Sequence, residues 1–234
     1  DLVPDMARVL GPDHPDTLDT RHNHAWNLGE AGEHAEAARL FAAVATDRKR
    51  VLGPDHPDTL NTRHKHAWNL RMAGEQAEAA RLFTDLVPDM ARVLGPDHPN
   101  TLAARHNHAW NLRMAGEHAE AARLFTDLVP DMARVLGPDH PDTLDTRHNH
   151  AWNLGEAGKH AEAARLFAAV ATDRKRVLGP DHPDTLNTRH NHAWNLGEAG
   201  EHAEAARLFT DLVPDMARVL GPDHPDTLTA FRRR

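Results

Sequence analysis

The stretch from His24 to Phe41 reads HAWNLGEAGEHAEAARLF, and its punctuation decides the fold. Leu18, Ala25 and Leu28 recur with helical spacing ahead of Gly32, and Ala37, Leu40, Phe41, Val44 and Val51 resume that spacing beyond it. Gly32 separates the two runs because glycine enters the left-handed conformation at a helix C′ position without a Cβ clash. Upstream, Asp13 reads as an N-cap, with Pro15 in the first turn and Asp16 as a capping-box acid. The first helix is therefore expected from about Pro15 to Ala31. Downstream, the second helix is expected from about Glu33 to Leu52, where Gly53-Pro54 stops it. Strand alternation is absent, so the pattern is helix, turn, helix, turn.

Gly-Pro-Asp-His-Pro begins at Gly11, Gly53, Gly95, Gly137, Gly179 and Gly221, a constant step of 42 residues. This gives five full repeats, 11–52, 53–94, 95–136, 137–178 and 179–220, preceded by the end of a second helix at 1–10 and followed by the start of a sixth repeat at 221–234. The second helix has two forms. Repeats one and four carry AAVATDRKR, as at Ala42 to Arg50, and repeats two, three and five carry TDLVPDMAR, as at Thr84 to Arg92. In the latter, Pro88, Pro130 and Pro214 predict a bend. Two helices of this length cannot bury their apolar faces alone, whereas stacked copies share a continuous core, so the chain reads as one all-α solenoid over 1–234. The incomplete repeats leave apolar faces at both ends, which makes end-to-end self-association a second expectation.

The motif Ala25-Trp26-Asn27-Leu28, then Gly32, Ala37 and Phe41, then Leu52-Gly53-Pro54-Asp55-His56-Pro57, resembles the 42-residue tetratricopeptide repeat (TPR) of kinesin light chains, and more closely the arrays of actinobacterial regulatory proteins. The resemblance covers the whole chain. It implies a right-handed α-solenoid of stacked antiparallel helix pairs, with Ala25, Gly32 and Ala37 as the small positions where helices approach. It further implies that the first helices line a concave groove gripping a peptide or protein segment, as part of a larger regulatory protein.

Composition narrows the function classes. The 27 Lys+Arg against 35 Asp+Glu leave a net charge of −8, which argues against a nucleic-acid partner because phosphate backbones are held by concentrated basic residues. No window approaches the roughly 18 apolar residues of a membrane span, and the first ten residues lack a signal-peptide pattern, so no membrane partner and a cytoplasmic location are expected. The 20 histidines come from copying: each repeat has four, except the second, where Gln76 replaces one. His22 and His24 lie on different sides of a helix and no His-x-x-x-His pair occurs, so neither a metal site nor a cofactor is expected. His14 is assigned to the linker turn and His24 to packing between helices. Glu30 and Glu33 read as a solvated helix end, and identical groups repeated five times do not build a single catalytic pocket, so no enzyme is expected.

Comparing the repeats with one another locates the candidate ligand face. Differences concentrate at Asp19, Asn23, Gly29 and Glu30 and their copies. Positions 19, 23 and 30 share a stripe with Trp26, opposite the packing stripe, and either ligand selection or drift on an indifferent surface accounts for them. The groove residues expected are Asn23, Trp26, Lys65, Trp68, Arg71, Met72, Asn107, Trp110, Arg113, Met114, Asn149, Trp152, Asn191 and Trp194. The tryptophans are expected to pack with one edge exposed. Lys65, Arg71 and Arg113 make the middle of this stripe cationic, whereas Asp19, Glu30, Asp145, Glu156 and Glu198 make its flanks anionic, which predicts a partner with an acidic, apolar centre and basic residues toward its ends.

Overall fold

The computed structural model describes residues 2–233, so Asp1 and Arg234, at the outer ends of the two partial repeats, lie outside the described residues. The described residues form twelve α-helices and no strand. They divide into two compact units, one ending at Gly116 and the other beginning at Glu117. The first unit holds α1 (Leu2–Leu10), α2 (Pro15–Glu30), α3 (His34–Val51), α4 (Pro57–Met72), α5 (Gln76–Val93) and α6 (Pro99–Met114). The second holds α7 (His118–Val135), α8 (Pro141–Glu156), α9 (His160–Leu178), α10 (Pro183–Glu198), α11 (His202–Val219) and α12 (Pro225–Arg232). Within each unit every helix packs on its neighbours in sequence, and first helices of successive repeats also touch, α2 with α4 and α8 with α10.

Local chemistry sets the boundaries. Gly32 has φ +85°, its N–H donates to the Gly29 carbonyl at 3.0 Å, and the Glu33 N–H donates to the Leu28 carbonyl at 2.9 Å, a Schellman closure that satisfies the last carbonyls of α2. At the other end the expected cap is corrected. His14, not Asp13, is the N-cap: its Nδ1 accepts the Asp16 N–H at 3.2 Å, so Asp16 acts through its backbone. The imidazole immediately before Pro15 reaches the first free N–H, while Asp13 is drawn to Arg50, whose Nη1 donates to it at 2.7 Å. His56, His98, His140, His182 and His224 cap their helices in the same way.

Phe41 and Phe83 in the first unit, and Phe125, Phe167 and Phe209 in the second, are at most 1% exposed, packed beneath alanines such as Ala25 and Ala37. Val51 is exposed instead, because Arg48 takes the inward position in the last turn of α3. Helices α5, α7 and α11 run unbroken through Pro88, Pro130 and Pro214.

The histidine assignment also changes. His22 is the buried one: it meets the Phe41 ring edge-on at 5.1 Å and lies 3.2 Å from Thr62 Oγ1, whereas His24 is exposed. Copies of His24 bridge helices where the preceding second helix supplies a threonine. Thr84 lies 3.2 Å from His108, and Thr126 lies 3.3 Å from His150.

The two forms of the second helix bury different chemistry. In α3, Arg48 is 4% exposed. Its Nη1 donates to Thr62 Oγ1 at 2.7 Å and to the Asp58 carbonyl at 3.2 Å, and its Nη2 pairs with Asp19. In α5 the same place is taken by Met90, fully buried in one cluster with Leu60, Phe83 and Ala104. The second unit repeats both arrangements. Arg174 pairs with Asp145 and donates to Thr188, whereas Met216 packs with Ala230. Variation at position 19 thus follows the buried residue of the second helix, while the Asp19 side chain itself stays 61% exposed.

Candidate functional site

In the first unit, Trp26 of α2 is 40% exposed, and the Lys65 ammonium of α4 stands 3.8 Å above the centre of its ring. Burial pushes Lys65 below the usual lysine range, and the Glu30 carboxylate opposes that shift. Behind them, a Cβ on Gly29 would lie 2.8 Å from Asn69 Oδ1, so glycine is what allows this asparagine in. Asn69 is fixed by His34 Nδ1, 3.1 Å from its Oδ1, and by its own Nδ2 donating to the Lys65 carbonyl at 2.9 Å. The result is a niche of about 180 Å³ between α2 and α4, lined by Trp26, Glu30, Lys65, Trp68 and Asn69.

Where arginine replaces that glycine, the side chain turns onto tryptophan. Arg71 Cζ lies 4.5 Å from the Trp110 ring centre and 5.9 Å from that of Trp68, and burial lowers its pKa. Arg113 lies 5.5 Å from Trp110 and donates to Met114 Sδ at 3.4 Å. A guanidinium over an indole face is held by the ring quadrupole, so these cations already engage aromatics of their own chain.

The second unit repeats the niche between α8 and α10. A Cβ on Gly155 would lie 2.6 Å from Asn195 Oδ1, and His160 Nδ1 sits 3.1 Å from that oxygen. Trp152 is 37% exposed, and its Nε1 donates to Glu156 Oε1 at 3.0 Å. Asn191 stands where Lys65 stands in the first unit, and the cavity, lined by Trp152, Glu156, Asn191, Trp194 and Asn195, measures about 310 Å³. One repeat further on, Arg233 just beyond α12 occupies the same position. Its Cζ lies 3.5 Å from the Trp194 ring centre, and Nη1 donates to Glu198 Oε1 at 2.8 Å.

The residues predicted for the groove therefore fall into groups. Asn23 and Trp26 are exposed, as are Met72 and Met114 at 45% and 46%, and Trp152. Trp68, Trp110 and Trp194 are half-buried, as are Asn149 and Asn191. Asn107 and Arg113 are buried, and Asn107 Nδ2 lies 3.1 Å from His64 Nε2. Gly29 and Glu30, expected only as a varying position and an anionic flank, form the niche together with Asn69, which the sequence did not single out. The signal was the joint change of Gly29-Glu30 to Arg71-Met72 and Arg113-Met114.

No described helix is long and apolar enough to cross a membrane, and no cluster of three or more ligating side chains is placed to hold a metal ion among the described residues. A search of curated proteins found no match. Among solved structures, the nearly identical TPR-like repeats assigned to a kinesin light chain of Podosopora anserina superpose with a TM-score of 0.77 at 28% identity, covering 88% of this chain and 97% of that one. BtubC from P. vanneervenii shares the fold at 15% identity and TM-score 0.76, over 94% of this chain and 89% of that one. YrrB, described as a TPR protein with an unusual peptide-binding site, does so at 12% identity and TM-score 0.64, over 99% and 98%. Tetratricopeptide repeat signatures match residues 30–88, 89–130, 143–184 and 185–226. The chain belongs to the tetratricopeptide repeat family, whose scaffolds typically serve protein–protein interaction.

Proposed function

We propose that the chain binds an extended peptide segment of a partner protein across the tryptophan-bearing faces of its first helices. The observation that carries this reading is the recurrence, in both units, of a partly exposed indole beside a cavity lined with amides and a carboxylate. Aromatic faces give contact area at little conformational entropy, and asparagine amides satisfy both donors and acceptors of a bound backbone. Within the first unit, Lys65 over Trp26 and Arg71 beside Trp68 and Trp110 favour acidic and apolar residues in the centre of a bound segment, and Glu30 beside Trp26 favours a basic residue toward its end. A role within a larger regulatory protein is part of the same proposal, and a cytoplasmic setting fits it.

The test is calorimetric titration of the chain with a panel of peptides of fixed composition and permuted charge order. One order is expected to bind best, Trp26→Ala and Lys65→Glu to weaken it, and Arg39→Glu on the outer surface of α3 to leave it unchanged. Equal affinity for every order, or for every variant, overturns the reading. Self-assembly through exposed apolar residues, Leu2 and Val9 of α1 with Leu228 and Phe231 of α12, is the rival reading. It requires light scattering to rise with protomer concentration beyond the monomer value.

A further inference from the structure

The chain has no cysteine, so its six methionines carry all of its sulfur. Met90, Met132 and Met216 are at most 2% exposed, whereas Met72 and Met114, the last residues of α4 and α6, are 45% and 46% exposed. These two differ in one contact. Met114 Sδ accepts from Arg113 Nη2 at 3.4 Å, while among the described residues Met72 Sδ accepts no hydrogen bond. The same guanidinium stands 5.5 Å from the centre of the Trp110 ring, so it is shared between an indole and a thioether. The other repeats carry oxygen where these two carry sulfur. Glu156 accepts the Trp152 indole N–H at 3.0 Å, and Glu198 accepts from Arg233 at 2.8 Å. An oxygen at this place in the repeat therefore engages an indole or a guanidinium donor.

We infer that Met114 is a reversible oxidation site, at which a hydroperoxide installs the oxygen that glutamate supplies in other repeats and the Arg113 guanidinium moves from Trp110 toward that oxygen. With hydrogen peroxide, the sulfur lone pair attacks one peroxide oxygen, an S–O bond forms as the O–O bond breaks, and the proton of the transferred oxygen passes to the departing hydroxide, which leaves as water. Sulfur is oxidised and the peroxide is reduced. A thioether is a weak acceptor, whereas a sulfoxide oxygen is polar and receives a charge-assisted hydrogen bond from a guanidinium already in contact with the sulfur. That bond competes with the attraction of the cation to the indole face. The site goes beyond the peptide-binding reading, because it needs no bound segment. Only its consequence for a partner rests on that reading: an adaptable apolar contact beside Trp110 becomes a polar one.

The experiment treats the whole chain, labelled with 15N, with hydrogen peroxide at neutral pH, places the added oxygen by mass spectrometry of its peptides and follows the five indole N–H resonances. Met72 and Met114 are expected to gain one oxygen each well before the three buried methionines. The Trp110 resonance is expected to shift as Met114 is oxidised and to return after treatment with methionine sulfoxide reductases. Met114→Leu is expected to abolish that shift and Met72→Leu to keep it, which separates the guanidinium contact from exposure alone. Met114→Gln, which offers an oxygen acceptor and no sulfur, is expected to show the shifted resonance without peroxide. The inference is overturned by a Met114 that oxidises no faster than Met90, by a Trp110 resonance that oxidation leaves in place, or by a shift that survives Met114→Leu. A reversible Trp110 shift in a chain that binds none of the peptide panel keeps this site and loses the peptide reading. Peptide binding with a Trp110 that ignores peroxide does the reverse.

Discussion

The first and second repeats differ at a buried place near the end of the second helix, Arg48 against Met90, and the difference reorganises what surrounds it. Arg48 of α3 needs acceptors, and finds them in Asp19 of its own first helix and in Thr62 and the Asp58 carbonyl of the next. Met90 of α5 needs only apolar contact, and the corresponding residues are Asn61 and Ala104, the latter fully buried against it. A buried guanidinium is tolerable only when its donors are matched, whereas a thioether fills irregular space without polar partners. A difference visible on the surface at position 19 is therefore the outward trace of an internal one. Differences at position 29 act on the niche instead: glycine there admits Asn69, whereas arginine turns onto tryptophan.

The largest effect is expected where the two repeats are alike: Phe41→Ala and Phe83→Ala should each cost about 3–5 kcal/mol, with loss of helix signal confined to neighbouring repeats, and unchanged circular dichroism would contradict the core assignment. Met90→Arg should cost about 3 kcal/mol in chemical denaturation, because the guanidinium arrives without its carboxylate, and adding Asn61→Asp and Ala104→Thr should recover most of that. If the triple variant is no better than the single one, the coupling is wrong.

Acid should act on both repeats. Burial first, with Arg48 assisting, holds His22 down to about 4, and burial holds His64 at about 4. The unfolded chain takes up these protons from pH 6.5 downward, so the stability is complete above that value and drains as pH falls toward 4. At pH 5.5 the loss at His64 should be about 1 kcal/mol, read as a falling thermal midpoint that His64→Gln flattens and EDTA leaves alone. Asp19→Asn should cost about 1 kcal/mol and Asn61→Asp nearly nothing, since only the former faces a buried arginine. Arg39→Ala, which removes an exposed pair with Glu36, should leave the midpoint unchanged.

Much of the fold could be read directly because proline and glycine act locally. Pro15 and Gly32 stand at the ends of the turns they impose, and the helices begin and end within a residue or so of the expected places. What escaped the reading depends on partners far along the chain. Asp13 looked like a cap, yet its partner Arg50 lies 37 residues away. Val51 fitted the apolar spacing of α3, yet Arg48 holds the inward position because Thr62 and Asp19 converge on it. The tryptophan stripe was legible from helical spacing, but the niche was not. It depends on how closely Asn69 approaches Gly29, a distance that no single helix encodes.

The pairing of Asp19 with Arg48 also constrains how such an array is inherited. Near-identical units of 42 residues invite unequal exchange between copies, which lengthens, shortens or reshuffles the series. A crossover falling between positions 19 and 48 would join the first helix of one form to the second helix of the other. One product would bury an arginine opposite Asn61 or Ala103. Exchange within the Gly53-Pro54 linker keeps each pair intact, and then only an arginine facing Ala104 rather than Thr62 is penalised, since Thr146 follows Met132 in the native order. The buried arginine thus ties the two helices of a repeat into one heritable block, and it filters which rearrangements of the gene still give a folded chain.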